Sequence, residues 1–512
     1  MKYKNSMRRL NLIISIIALL TVIYTGLSWY TGKVIANNID SKIIDIEHNM
    51  NHHQTLLKFY TSYSDYHQGI FSTTFYLKIT AQNKLLNDTD PKVIFNEQIT
   101  VYHGPFPWSE LKELNFNPKV ASAVYAMTEK NSPKLWQIAN HQPFLKAKLT
   151  IGYDKSMQFL INTIPVDHID LSDKTLYKIS AGHLIINSDA TFHDFNLTSN
   201  LDNLKIKDKK LDINLSHFQL GLLPTSAQST KNNYQLTSSI KQLLIYRSQS
   251  QQYKRGIELD GISFDSLFEK LTQVGFKFNN ILNINKIQLN NYLDNITITD
   301  VNITNQNKSN DQLTLFGNID STIGNITLGK QDLGFSGVGI SYENLSITAN
   351  DSISDDNVPT SKAAQPYTKL AVNKYFWQNA HGSINMNSSM LLKQIDLSKI
   401  VCLSDLQQND IVSLDFSLNI PFAPLIYQFA QIQHPEKNTL SKSDLQYAYQ
   451  SIMLLSSLLQ NASLIELVYD ATPMKQPGIY STLHYDSINK EAAVNGKKVK
   501  PSQFFSNLKL IQ

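Results

Sequence analysis

The hydrophobic positions of this chain change their spacing several times, and each change marks an element. The first stretch, Leu10 to Tyr30, carries no charged side chain and contains eleven Leu, Ile and Val residues. At about 1.5 Å per residue it extends roughly 30 Å, the thickness of a bilayer hydrocarbon core, which predicts a transmembrane helix over 10–30. Lys2, Lys4, Arg8 and Arg9 precede it and Lys33 alone follows closely. The positive-inside rule then puts 1–9 in the cytoplasm and the chain from about residue 31 on the far side. A cleaved signal peptide is the weaker alternative, because the apolar run is too long and Gly26-Leu-Ser28 is a poor cleavage tripeptide.

Beyond this stretch, Ile35, Ile39, Ile43, Ile46 and Met50 recur at three- and four-residue spacing and predict a helix over 33–60. From Tyr66 the period falls to two: Phe71, Thr73, Phe75, Leu77 and Ile79 alternate as in a strand with one buried face, and 94–102 follows suit. Pro118 to His141 reads as helical, with Val120, Ala123, Val124 and Met127 on one face. Between about 180 and 350 the chain is a succession of short alternating runs separated by Asn, Asp, Gly and Ser, such as Leu211-x-Ile213-x-Leu215 and Ile296-x-Ile298. No fixed repeat length emerges, so a large antiparallel sheet is the economical prediction. Asp265 to Val274 interrupts it as a short amphipathic helix. Two helices follow, over 424–433 and 443–460, the second capped by Ser443; Tyr480 to His484 and Ala492 to Lys497 close the chain as a hairpin.

The predicted organisation is therefore a cytoplasmic tip (1–9), an anchor (10–30), a β-rich region with a helical stalk (31–350), a linker or exposed loop rich in Ser, Asp and Asn (351–365), and a C-terminal α+β region (366–512). The fold class expected is α+β, mostly β: a transmembrane helix followed by a large antiparallel body with helices near both ends.

Composition narrows the chemistry. Charged residues make up 17% of the chain, below the usual quarter, so the surface is polar through Asn, Ser, Thr and Gln. The four basic residues among the first nine account for the whole formal net charge of +4. The rest lacks the basic field that phosphate binding requires, which argues against a nucleic-acid partner. Cys402 is the single cysteine, so no intramolecular disulfide forms; its apolar surroundings mark a small buried hydrophobe rather than a nucleophile.

His103-Gly104-Pro105-Phe106-Pro107-Trp108 is the most conspicuous local cluster. One reading makes His103 a general base or ligand; the reading adopted is structural, with the prolines stopping a strand and the aromatic rings capping a core. His48, His52 and His53 lack the intervening Glu and the third ligand of a zinc site and read as a polar face. There is no phosphate-binding glycine loop, nucleophile elbow or paired-cysteine site, so neither a catalytic residue nor a metal or cofactor is assigned.

Four places resemble a known group, the YdgA-like family of bacterial envelope proteins, a domain of unknown function. They are Trp29-Tyr-Thr-Gly-Lys33; Tyr66-His-Gln-Gly69-Ile-Phe71-Ser72; His103-Gly104-Pro105-Phe-Pro107; and, near the end, Gly478-Ile-Tyr480 with Val494-Asn495-Gly496-Lys497. The resemblance implies an inner-membrane protein facing the periplasm that self-associates, and it brings no reaction. The function expected is a membrane-anchored, non-catalytic binding or scaffold protein of the cell envelope. Its partners would be the inner membrane and a second copy or another envelope protein. The alternatives are a lipid-binding or lipid-transfer protein with a sheet-lined apolar groove, and a periplasmic hydrolase.

Overall fold

The structure is a computed structural model that describes residues 2–52, 57–83, 91–189, 195–225, 233–250, 253–271, 275–290, 295–309, 314–346, 367–393, 410–459, 464–473 and 475–509. It is a mostly β-sheet fold with helices near both termini, and every pairing described below is antiparallel. The chain divides into two compact units, 1–208 with 218–223, and 209–217 with 224–512. The predicted 351–365 linker and Cys402 lie outside the described residues.

The first unit opens with helix α1 (Lys2–His52). It continues through β1 (Leu57–Gln68), β2 (Ser72–Asn83), β3 (Lys92–His103), α2 (Trp108–Lys112), β4 (Lys119–Ala126), α3 (Pro133–Ile138), β5 (Leu145–Gly152) and β6 (Met157–Thr163). β7 (Val166–Asp170), β8 (Thr175–Ile179), β9 (Gly182–Ser188) and β10 (Phe195–Lys207) complete it. β1 to β6 pair in chain order, β9 joins β6, and β10 lies against both β9 and β8. The i, i+4 spacing of Ile35, Ile39 and Ile43 on α1 turns one stripe onto Phe75, Val101 and Ala121, so one face of β2–β4 finds its cover there.

β11 (Leu211–Pro224) carries the division between the units. The second unit then runs through long strands: β12 (Tyr234–Ser250), β13 (Tyr253–Lys270), β14 (Phe276–Asn290), β15 (Ile296–Ser309), β16 (Thr314–Leu328), β17 (Gln331–Ser346), β18 (Tyr367–Asn379), β19 (Gly382–Lys393) and β20 (Ile411–Pro421). It ends with α4 (Phe422–Gln433), α5 (Lys442–Leu459), β21 (Glu466–Val468), β22 (Gly478–Asp486), β23 (Glu491–Val494), β24 (Lys497–Lys498) and α6 (Pro501–Lys509). β12 to β20 pair consecutively and β22 adds to β20. α4 lies against β17–β20 and β22, α5 against α4, and α6 against β23.

The transmembrane expectation is overturned: among the described residues no helix is long and apolar enough to cross a membrane. The reason is visible at the C-terminal end of the predicted span. Tyr24 Oη donates to the Phe106 carbonyl at 2.8 Å, Ser28 Oγ to the Gly104 carbonyl at 2.7 Å, and Ser28 is wholly buried. These turns are thus tied to protein along one side, which interrupts the uniformly apolar surface a hydrocarbon core needs, while Leu20, Val22, Ile23 and Leu27 on the same turns are exposed. The conclusions that hung on the anchor fall with it: the inner-membrane address, the periplasmic side, the membrane as a partner, and the membrane-anchored envelope scaffold.

Other expectations are corrected by tertiary pairing. The helix expected over 118–141 is β4 followed by the short α3, because Val120, Ala123 and Val124 sit on a strand held between β3 and β5. The helix expected from Asp265 is the end of β13, paired with β12 up to Phe268 and with β14 up to Lys270. The α5 cap is Ser441 rather than Ser443. Ser441 Oγ accepts the Asp444 N–H at 3.2 Å while Asp444 Oδ2 accepts the Ser441 N–H at 2.8 Å, a reciprocal capping box. The Lys437 ammonium, 2.8 Å from both carboxylate oxygens, holds Asp444 far below the usual carboxylate range.

Candidate functional site

Three of the four singled-out motifs meet at one place in the first unit. β1 ends at Gln68, and Gly69 N donates to Ser72 O at 2.8 Å to turn the chain into β2. Tyr66 packs beside α1 in the Ile39–Phe75 core, and Phe71 stacks on Tyr24 of α1 at 5.5 Å. β3 enters the same corner: His103 N donates to Phe71 O at 2.9 Å, Gly104 N to Val120 O at 2.7 Å, and Lys119 N to Pro105 O at 2.8 Å. The Gly104–Pro105 peptide is cis, and Pro107 opens α2. At Gly104 a Cβ would stand 2.1 Å from the Lys119 carbonyl oxygen, so only glycine lets β3 and β4 approach this closely.

His103 is the centre of this junction and has no exposed surface. Nδ1 lies 2.9 Å from the Ile70 carbonyl and Nε2 2.8 Å from Thr73 Oγ1. A carbonyl only accepts, so Nδ1 carries the proton and Nε2 accepts from the threonine hydroxyl. Gly32 of α1 closes the ring in: a Cβ there would lie 2.4 Å from His103 Cε1. Both ring nitrogens are engaged and the ring is sealed, so His103 presents no atom to a substrate. The arrangement clamps α1 to the hairpin and the β3–α2 loop.

Burial pushes the His103 imidazole below its ordinary value of 6.5, partly offset by the Ile70 carbonyl. With the folded value depressed, the unfolded chain takes up the proton first as pH falls, and unfolding is favoured. The junction's contribution is therefore complete above about pH 6.5 and declines below it. Urea unfolding at about pH 7.5 and about pH 5 should show this loss, and the difference should shrink in His103→Asn. His484 runs the other way, since Asp415 at 2.7 Å raises it, but this pair is exposed and solvent-screened.

The fourth motif lies in the second unit and is a turn. Asn495 and Gly496 link β23 to β24 with φ of 51° and 75°, the geometry of a two-residue hairpin. Asn495 Oδ1 accepts the Thr482 N–H at 2.8 Å, which ties the turn to β22, and Lys497 pairs with Val494 in the ladder. The sequence signalled the turn through Asn-Gly, but α6 beyond it went unpredicted.

The sequence reading missed Ser28, Gly32 and Thr73 as partners of the histidine; glycine inside a helical run was the one available signal of close packing. It also missed two buried carboxylates. Glu97 accepts Thr128 Oγ1 at 2.9 Å, and Glu110 accepts Asn115 Nδ2 at 2.6 Å and faces Lys148 Nζ at 3.3 Å. Both are held by partners within the fold. Among the described residues no group of three or more His, Cys, Asp or Glu side chains is placed to hold a metal ion.

The second unit carries the surface with most capacity for a ligand. Two adjacent cross-strand rows run over five strands: Ile245–Ile257–Leu289–Ile296–Leu328 and Leu243–Leu259–Ile287–Ile298–Ile326. All ten side chains are Ile or Leu and share one face, since members of each pair along a strand are two residues apart. The opposite face is polar. Gln242 Nε2 donates to Asp260 Oδ1 at 2.9 Å, Tyr246 Oη to Glu258 Oε2 at 3.2 Å, and Asn290 Nδ2 to Tyr246 Oη at 3.1 Å. None of the ten aliphatic side chains is fully buried, and Ile245 and Ile257 are 40% and 44% exposed. The helices of this unit pack elsewhere, so among the described residues none covers this face. Alternation slips at the next row, with positive φ at Gly261 and Asp300, and two further apolar rows follow: Ile240–Ile262–Ile284–Val301 and Phe264–Leu282–Ile303.

A helix-clamped β unit together with a β-sheet unit that carries an apolar face defines a large, mostly β protein with helices near both termini. The chain belongs to the bacterial protein family of unknown function DUF945, whose model matches residues 7–356. It is 22% identical to Protein YdgA of Escherichia coli (strain K12) over 96% of this chain and 95% of that one. It is 26% identical to the Uncharacterized protein YihF of the same organism over 39% of each. No solved structure matches the chain.

Proposed function

We propose that this protein is a non-catalytic carrier that binds aliphatic chains, as of a fatty acid or the acyl part of a lipid, across the β12–β16 face. The observation that carries this reading is the open double row of ten Ile and Leu side chains. Five strands at about 4.8 Å spacing make the rows roughly 19 Å long, close to an extended long acyl chain. Each 100 Å² of this surface removed from water contributes about 2.5 kcal/mol. The rows contain no aromatic ring, arginine or hydrogen-bonding group of the kind that anchors a protein partner, which favours a featureless hydrocarbon occupant.

A fluorescent fatty acid is the direct probe. The full chain should bind it, and Leu259→Glu or Ile287→Glu should weaken binding at least roughly tenfold, because a desolvated carboxylate beside the chain is costly. Gln288→Glu, on the opposite face of β14, should leave binding unchanged. Absence of binding to the unaltered protein, or equal binding by all three variants, refutes the reading.

A further inference from the structure

A second, chemically opposite site lies in the first unit. A cavity of about 370 Å³, within the size range of small-molecule sites, opens among β4, β5, β6, β9 and β10. One wall is a line of three amides from three neighbouring strands. Gln158 Nε2 donates to Asn187 Oδ1 at 2.9 Å, and Asn187 Nδ2 donates to Asn196 Oδ1 at 2.9 Å. Each bond polarises the next, and the direction of the line is fixed. The line leaves the Gln158 carbonyl at one end and the Asn196 amino group at the other, an acceptor and a donor along one wall.

The turn between β5 and β6 supplies the next group. Asp154, which lines the cavity, takes both the N–H and the hydroxyl of Ser156 on Oδ1, at 3.0 and 2.6 Å, which fixes the carboxylate. These bonds hold Asp154 below the usual carboxylate range, so it is ionised. Lys119 lines the cavity with the opposite charge. At the base, Thr150 and Ser188 are buried and already bonded within the protein, to Glu110 Oε1 at 3.3 Å and to the Asp189 carbonyl at 2.9 Å. The cavity thus combines an oriented amide line, two carboxylates, Asp154 and Asp189, and one ammonium, and Met157 is its one apolar side chain.

We infer that this cavity binds a small polyhydroxylated molecule of the monosaccharide class. A hydroxyl both donates and accepts, so hydroxyls on opposite sides of one sugar ring can meet the Gln158 carbonyl and the Asn196 amino group, two strands apart, and a third can meet Asp154. An anion would meet the Asp154 and Asp189 carboxylates and a cation would meet the Lys119 ammonium, whereas a neutral hydroxylated ligand is repelled by neither. This site stands independently of the aliphatic-chain reading, since it shares no residue with the β12–β16 face.

Saturation-transfer NMR on the full chain with glucose, galactose and N-acetylglucosamine, each offered singly, tests the inference. Saturation transfer to at least one of the three is expected. Asn187→Leu, which breaks the amide line, and Asp154→Asn, which keeps the shape but removes the charge, should each reduce it several-fold. Gln242→Leu in the second unit should have no effect. The inference is overturned if none of the three sugars receives saturation, if both cavity variants retain the full signal, or if alanine, offered as a zwitterionic control, competes the sugar off. Should Asn187→Leu lower the melting temperature, Asp154→Asn, at an exposed turn, carries the decision.

Discussion

His103→Ala destabilises the first unit by about 3–5 kcal/mol, and Gly32→Ala alone costs about 1–3 kcal/mol. The first loss has two parts. Removing the ring empties a sealed space, and it strands the Thr73 hydroxyl, which has no exposed surface. The second is an overlap: a methyl at position 32 would stand 2.4 Å from Cε1 and 2.6 Å from Nδ1 of His103. The two together should cost less than the sum of the singles. In the double variant the new methyl occupies volume the imidazole has vacated, so the cycle should show a favourable coupling of about 1–2 kcal/mol. Urea unfolding of the four proteins measures it. Strict additivity would mean that α1 does not close the histidine pocket, and the account of the junction would fail.

Phe504→Ala destabilises the second unit by about 3–5 kcal/mol, the usual cost of emptying a buried aromatic site. Phe504 has no exposed surface and stacks on Tyr485 at 5.6 Å, with Phe505 edge-on at 5.3 Å. It is the point through which α6 enters the core made by Leu392, Ile411, Leu414 and Leu464. Hydrogen exchange should report faster opening over 501–506 and the adjoining β22–β23 ladder, along with a lower urea midpoint. Leu458→Ala on α5, where the side chain is 72% exposed, should change stability by less than about 0.5 kcal/mol. Equal effects of the two substitutions would show that α6 is not part of the cooperative unit.

The aliphatic face and the sugar-type cavity differ in how far the sequence announced them. Alternating runs such as Ile296-x-Ile298 revealed that one side of many strands is apolar, and left open whether that side is covered. Only the placement of α4, α5 and α6 against other strands shows that β12–β16 carries no helix among the described residues. The amide line left no trace in the sequence. Gln158, Asn187 and Asn196 sit far apart in an Asn-rich chain, and the register of β6, β9 and β10 aligns them.

By itself the sequence determined what depends on near neighbours: the strands of period two, the i, i+4 stripe of Ile35, Ile39 and Ile43, the Asn495-Gly496 turn, and the two helices expected over 424–433 and 443–460 and found at Phe422–Gln433 and Lys442–Leu459. These follow from the local geometry of each segment, which a window of a few residues contains. Where spacing was ambiguous, partners decided. Val120, Ala123 and Val124 suit a helix face, but hydrogen bonds from β3 and β5 on both sides make them a strand. Hydropathy treated 10–30 as though every residue met one solvent, whereas Tyr24 and Ser28 face the loop at Gly104–Phe106. The meeting of three motifs at His103 was likewise a tertiary decision. Its contacts join residues 28, 32, 70, 73 and 103, and packing between segments so distant depends on the whole chain's topology, of which no local spacing carries a record.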